Sequence, residues 1–287
     1  MTTATAAEHA SIAMRERARP QRARGTLKIR WGLGIILTVA VLGIVLPWVW
    51  PHDILTQAPA EKLQSPSMSH WFGTDEFGRD VFIRTIAAAR IDIFLALAGS
   101  VIPGIIGTLL GAIGGYASRW FDIVLLRIAE IMQAMPSYVI FLITAAAIGP
   151  GVGSFILAAI LIAWVPYARL TRAQVLLVRE TEYVKAVKTS AVGSRRVLFR
   201  HVLPNALPQT VVFQASDIVL CLLALAGLSF LGVGVPPPTP EWGSMIAEGQ
   251  RFLRVAWWMS VPAGLMLVLV GGAASLLSDG LDERNRR

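Results

Sequence analysis

Five stretches of this chain carry no charged side chain: residues 31–51, 93–118, 131–168, 218–240 and 255–278. A bilayer's hydrocarbon core is crossed by about 20 apolar helical residues. With no water there to satisfy backbone N–H and C=O groups, a spanning segment must pair them internally, as a helix does. Four of the runs suit one span each. The third, 38 residues long, is too long for one, and its middle reads "GPGVG", Gly149 to Gly153, a breaker cluster that folds it into two spans joined by a tight turn. Six helices are therefore predicted, over 31–50, 92–116, 122–147, 154–176, 209–231 and 256–278. A chain that is 55% hydrophobic and 15% charged, with a mean hydropathy of +0.61, is also too apolar for an ordinary soluble domain.

Lys and Arg placement orients the helices. With a cytoplasmic N-terminus, the inner side receives the basic residues before position 31, Arg119 and Arg127, those between Arg169 and Arg200, and the three in the C-terminal tail. These are 20 of the 26 basic residues, against Lys62, Arg79, Arg84, Arg90, Arg251 and Arg254 outside. The positive-inside bias puts both termini in the cytoplasm. It also accounts for the isoelectric point near 10.4 without nucleic acid, because the excess lies where anionic lipid is. The organisation expected is a basic tail over 1–30, which its small polar residues mark as disordered, a first span over 31–50, an outer segment over 51–91, a core of five spans over 92–280 and a short tail over 281–287. A signal peptide is the rival for residues 1–50, but the apolar run is long for one and is bordered by Trp31, Trp48 and Trp50, as an anchor is. One cysteine, Cys221, excludes an internal disulfide or a thiolate cluster.

Few ionisable groups enter the spans. Arg127 and Glu130, three apart, read as an ion pair, and Asp217 as structurally paired; a proton- or ion-coupled carrier would need a longer relay. Gly107, Gly111 and Gly115, with Gly104 and Gly114 nearby, form a small-residue stripe for a tight helix contact, within the chain or with another subunit.

Between the fourth and fifth spans lies "EYVKAVKTSAVGSRRVLFRHVLPNALP", residues 182–208. Tyr183, Val187 and Ala191 recur every four residues, with Glu182, Lys185 and Lys188 on another face, which predicts a short amphipathic helix. Gly193 breaks it, Ser194 is a candidate N-cap, and "RRVLFRHVL" forms a second helix ending before Pro204. Such a bent pair could lie on lipid, but it is better suited to docking in a groove of a soluble partner. The stretch resembles the EAA loop of ABC-importer permeases, in the version found in dipeptide, oligopeptide and nickel permeases of the DppC/OppC type. "HWFGTDEFGRDVFIR", residues 70–84, resembles that family's first outer segment, and "LSFLGVGVPPPTPEWGSMIAEG", residues 228–249, its last outer loop. The likeness runs over residues 30–282 in the expected order.

The resemblance implies an all-α polytopic membrane protein with the six-helix, MetI-like fold of type I ABC importers, in a bacterial or archaeal cell membrane. It implies a second, homologous permease, two cytoplasmic ABC ATPase domains or subunits that bind MgATP, and an extracytoplasmic substrate-binding protein. This chain has no P-loop motif and is expected to hold no cofactor and to catalyse nothing itself. The ATPase-coupling loop falls on 178–208, with Glu182, Tyr183, Ala186, Val187, Ala191, Gly193, Arg200, His201, Pro204 and Asn205 as its site residues. Val187 stands where the family's second alanine is usual and Ala191 where its glycine is usual, with Gly193 two residues on. The outer-segment motif carries over onto Gly73, Thr74, Asp75, Gly78, Arg79 and Asp80, and the outer loop, 232–255, onto Pro237, Pro238, Trp242 and Gly243.

Asp75, Glu76 and Asp80 invite a metal hypothesis, but beside turn-forming Gly73 and Gly78 they read as caps or as partners for Arg79 and Arg84, and no metal is expected. His201 reads as a packing residue at the ATPase interface rather than a pH switch. The prolines of "VPPPTPEW" fit a docking platform or a loop staple equally well. A peptide importer leads; nickel or another small solute on the same machinery, a stand-alone carrier and a non-transporting scaffold are the alternatives. The six-span topology predicts that cysteines placed at Ser194 and Thr239, in a Cys221→Ser background, react with impermeant reagents from opposite sides, Ser194 from the cytoplasm. Labelling of both from one side would rule that topology out.

Overall fold

In the computed structural model, residues 24–116, 119–189 and 193–285 are described in full and 2–23 as helix backbone. Among the described residues there are eleven helices of the α type and no sheet: α1 (Thr2–Val49), α2 (Val81–Tyr116), α3 (Arg119–Ala134), α4 (Ser137–Ile148), α5 (Val152–Ile162), α6 (Trp164–Val178), α7 (Glu182–Thr189), α8 (Ser194–Val197), α9 (Leu203–Phe230), α10 (Trp242–Gln250) and α11 (Val261–Asn285). Five helical stretches are long and apolar enough to cross a membrane, and α3 with α4 make a sixth span if counted together. This is the all-α, six-span architecture expected from the charge-free runs.

The boundaries moved for local reasons. The third span is not one helix over 122–147: it bends by 83° between α3 and α4. Pro136 sits at the bend, lacking an N–H and disfavouring helical geometry at Met135. The second span starts at Val81, eleven residues before the apolar run suggested, because Asp80 caps it: its Oδ1 accepts the Ile83 N–H at 3.0 Å. The turn between α4 and α5 falls at Gly149–Gly151, with positive φ at both glycines, as the breaker cluster predicted. The N-terminal tail, read as disordered, continues the α1 helix back to Thr2; Ala, Arg, Glu and Met are good helix formers and the span supplies the nucleus.

Helix α2 is the hub, packing along α6 and α9 and touching α1, while α11 lies against α1 and α9. Its glycine stripe is spent inside the chain. A Cβ on Gly107 would stand 2.7 Å from the Tyr167 Cβ and 3.0 Å from the Ala168 nitrogen, and one on Gly111 2.9 Å from the Ala168 Cα. The backbones of α2 and α6 thus meet with nothing between them. Pro103 sits inside α2 just before this contact. Among the spans, Arg127 does pair with Glu130, at 2.8 Å, and the Tyr167 hydroxyl donates to Asp217 at 2.9 Å. Because the atoms a side chain would strike at Gly111 are backbone, relaxation there must separate two spans. Gly111→Leu is expected to lower folding yield and the thermal midpoint sharply, at a cost of about 3 kcal/mol or more, whereas Gly264→Leu, with nothing within 4 Å of its Cβ position, should be tolerated. Size-exclusion profiles and thermal melts in detergent check this.

Candidate functional site

The chain offers two built features, one at each end of α2. The first is a knob formed by α7, α8 and the wide π turn Leu198–Val202 that joins α8 to α9. The residues it buries are Val184, Val197, Leu198 and Val202, which share a cluster with Ala112 of α2, Val175 of α6 and Ala206 of α9. Arg179 adds a hydrogen bond to the Gly115 carbonyl at 2.7 Å, and Lys188 lies over the Tyr116 ring. The knob is therefore fastened to the ends of three spans. Its other side is open: Glu182, Tyr183, Ala186, Gly193, Arg200, Pro204 and Asn205 are exposed, and Val187 and His201 partly so.

Three details of this stretch differ from the periodicity reading. The residue that anchors α7 is Val184, 0% exposed, whereas Tyr183 is 56% exposed; with two turns of helix, a four-residue repeat could be laid on either side. Ser194 does not cap: Gly193 occupies the N-cap, and its carbonyl accepts the Arg196 and Val197 N–H groups. The second helix does not end before Pro204 but runs on into α9, with Pro204 in the first turn, where a missing N–H costs little. The π turn ahead of it gives the proline ring room, and the Asn205 side-chain amide donates to the His201 carbonyl at 2.7 Å. Tyr183 and His201 are joined by a 2.6 Å hydrogen bond across the knob. Ala191 lies outside the described residues.

The second feature is an ionic clamp that ties the segment before α2 to α10. Gly73 and Gly78 take positive φ, 71° and 77°, and turn "GTDEFGRD" back on itself, so that Thr74 and Asp80 form an isolated antiparallel bridge. Asp75 Oδ1 accepts the Phe77 and Arg79 N–H groups at 2.8 and 2.9 Å, and Oδ2 meets Arg79 Nε at 2.5 Å and Arg84 Nε at 3.7 Å. Asp75 thus serves as turn acceptor and arginine partner and Asp80 as a cap, as expected, whereas Glu76 faces Arg251 at 3.8 Å rather than Arg79 or Arg84. Arg79 continues to Glu248 of α10 at 3.3 Å, and Arg84 donates to the Ile54 and Pro238 carbonyls. Burial pushes the Glu248 carboxyl above the usual carboxylate range, against the pull of Arg84 and Arg79.

Trp242, wholly buried, donates through its indole to the Thr85 carbonyl at 2.9 Å and through its backbone to Asp92 Oδ2 at 3.2 Å. Glu241, 0% exposed, caps α10 by accepting the Gly243 and Ser244 N–H groups. Pro238 and Trp242 thereby hold the last loop on α2, while a Cβ on Gly243 would crowd the Ala226 backbone of α9. The site residues carried over from the motifs do not include Arg84, Glu241 or Glu248, although all three lie within the matched stretches. The glutamates sit seven residues apart on one face of the "EWGSMIAEG" helix, a spacing visible in the sequence.

Residues 107–287 match the family described as binding-protein-dependent transport system inner membrane component. The chain is 35% identical over 253 residues to the dipeptide transport system permease protein DppC of Alkalihalophilus pseudofirmus, covering 87% of this chain and 82% of that one. It is 34% identical over 260 residues to the oligopeptide transport system permease protein OppC of Bacillus subtilis, covering 89% and 85%, and 36% identical over 247 residues to the probable D,D-dipeptide transport system permease protein DdpC of Escherichia coli, covering 86% and 83%. Six spans, a knob between the fourth and fifth, and relatives matched over most of both chains identify it as a multi-pass member of the permease family of binding-protein-dependent ABC importers, in the dipeptide and oligopeptide branch.

Proposed function

We propose that this chain is one of two homologous permeases that together form the path for di- or oligopeptides in an ATP-driven importer, and that residues 182–205 are where cytoplasmic ATPases grip it. Both termini then face the cytoplasm, and MgATP is bound and hydrolysed by the partners. A binding protein on the other side delivers the peptide to the end that carries the ionic clamp. The peptide cargo rests on what the relatives are named for; nickel import would use the same mechanics.

What carries the coupling role is the two-sided construction of the knob. Val184, Val197 and Val202 are buried against α2, α6 and α9, so a push on the knob is delivered to three spans together. Tyr183 and Ala186 are left exposed on the outer side for a partner. A helix lying on lipid would instead depend on its cations. Closure of the ATPase pair would move the knob and favour an outward-facing bundle, and hydrolysis would release it. The linkage is reciprocal, so loaded binding protein must favour ATPase closure.

Ala186→Asp sets an uncompensated carboxylate in the docking contact, a loss of about 1–3 kcal/mol, without touching the buried side of α7. The variant is expected to insert and join its sister permease, yet to lose peptide-stimulated ATPase activity and uptake in reconstituted complexes by tenfold or more. Full coupling by Ala186→Asp, with loss of coupling on neutralising Lys185, Lys188, Arg195 and Arg196, would establish the lipid-surface reading instead.

A further inference from the structure

The segment between α1 and α2 gathers two of the chain's four histidines around an acid. His52 and His70 lie with ring centroids 4.6 Å apart and planes tilted by 32°, and one ligand-type atom from each of His52, His70 and Asp80 lies within 4.8 Å of the others. We propose that His52, His70 and Glu61 bind a divalent transition-metal ion of the zinc type, with Asp80 holding the His70 ring from behind.

The hydrogen bonds set the tautomers in the way a metal requires. His70 is buried, and its Nδ1 lies 2.9 Å from Asp80 Oδ2, so Nδ1 carries a proton and, in the neutral ring, Nε2 is the ligand nitrogen. This is the carboxylate–histidine arrangement that fixes a metal-binding ring and raises its basicity. His52 Nε2 lies 3.0 Å from the Ser69 carbonyl, an acceptor only, so it is the donor and Nδ1 is left as the ligand nitrogen. His70 Nε2 then faces Glu61 Oε2 at 3.5 Å. Ligands at zinc distances on a tetrahedral ion stand about 3.4 Å apart, which the separation of His70 Nε2 and Glu61 Oε2 already matches. His52 and Glu61, the more exposed pair, can close by side-chain rotation, while His70 and Asp80 form the fixed half. Asp80 is already oriented, since its other oxygen caps α2.

Imidazole with carboxylate favours zinc and its neighbours over magnesium or calcium, which want oxygen ligands alone. The motif acids did not point here. Asp75 is consumed by Arg79 and Arg84, and Glu76 faces Arg251, so only Asp80 is shared with the histidines, which lie outside the acidic motif in sequence. A metal at this point would tie the loop before α2 to the start of that helix.

The test uses the full chain in nanodiscs, purified without a polyhistidine tag and stripped with chelator. Calorimetric titration with ZnCl2 at neutral pH is expected to give one equivalent bound per chain, and CoCl2 the visible absorption of a low-coordinate cobalt site. His52→Ala and Glu61→Gln should each weaken zinc binding at least tenfold while leaving the metal-free thermal midpoint unchanged. Asp80→Asn, which keeps the size of the side chain, should weaken it about 10–100-fold. Zinc should raise the thermal midpoint of the wild-type chain and not of His52→Ala. Absence of saturable zinc binding would overturn the proposal, as would binding that survives His52→Ala unchanged. A cluster stabilised by acidification alone, with the same midpoint with and without zinc, would show that a proton on His70 fills the role and would overturn it too.

Discussion

The contact between α2 and α6 is the constraint on which the rest of the fold depends. Lipid is as apolar as leucine, so burial from water cannot hold two spans together, and close van der Waals packing has to do it. Glycines at 107 and 111 let the two backbones touch around Tyr167 and Ala168. Once α2 and α6 are fused there, α9 packs on both and α11 and α1 follow, while α3 and α4 are left at the periphery with a bend between them. The knob inherits its position from this contact, because it grows from the end of α6 and buries its valines against the end of α2.

How much of this could be read from the residues depended on whether the signal was local. Span number followed from charge-free runs, and the Gly149–Gly153 turn from its glycines. Starts and stops were harder where polar groups belong to a helix. Arg84 and Asp92 made the first turns of α2 look like loop, yet both are buried because α10 and the last loop supply their partners, more than 140 residues away. The α7 face was ambiguous because eight residues give barely two turns, and the choice between Val184 and Tyr183 rests on where α2 and α6 end. Pro136 was a plain local signal, but a run of apolar residues on both sides concealed it. The pairing of His52 with His70 had no sequence signal: the loop between them closes only through tertiary contacts.

The ionic clamp and the knob are chemically unlike. The clamp joins distant segments through buried charges and an indole, where loss of one partner would strand another. The knob is joined by small aliphatic residues, which transmit displacement without demanding fixed angles. Its exposed side holds an alanine between a tyrosine and two lysines, a shallow surface that another protein can approach closely.

Helix α2 belongs to both devices. Its last three turns, Gly104 to Gly115, lie against α6 and carry Ala112 into the knob cluster, while its first three turns carry Arg84, Thr85 and Asp92 into the grip on the last loop. Between Gly104 and Val81 the helix projects about 35 Å at 1.5 Å per residue. For such an arm the geometry is that of a crank. Turning the fused α2–α6 body by about 5° sweeps the far end of a straight 35 Å arm through about 3 Å, roughly the length of a hydrogen bond. Pro103 stands at the root of the arm, where a missing N–H loosens the helix. The knob and the clamp are thus the two ends of one continuous helix with a single gap in its hydrogen-bond ladder.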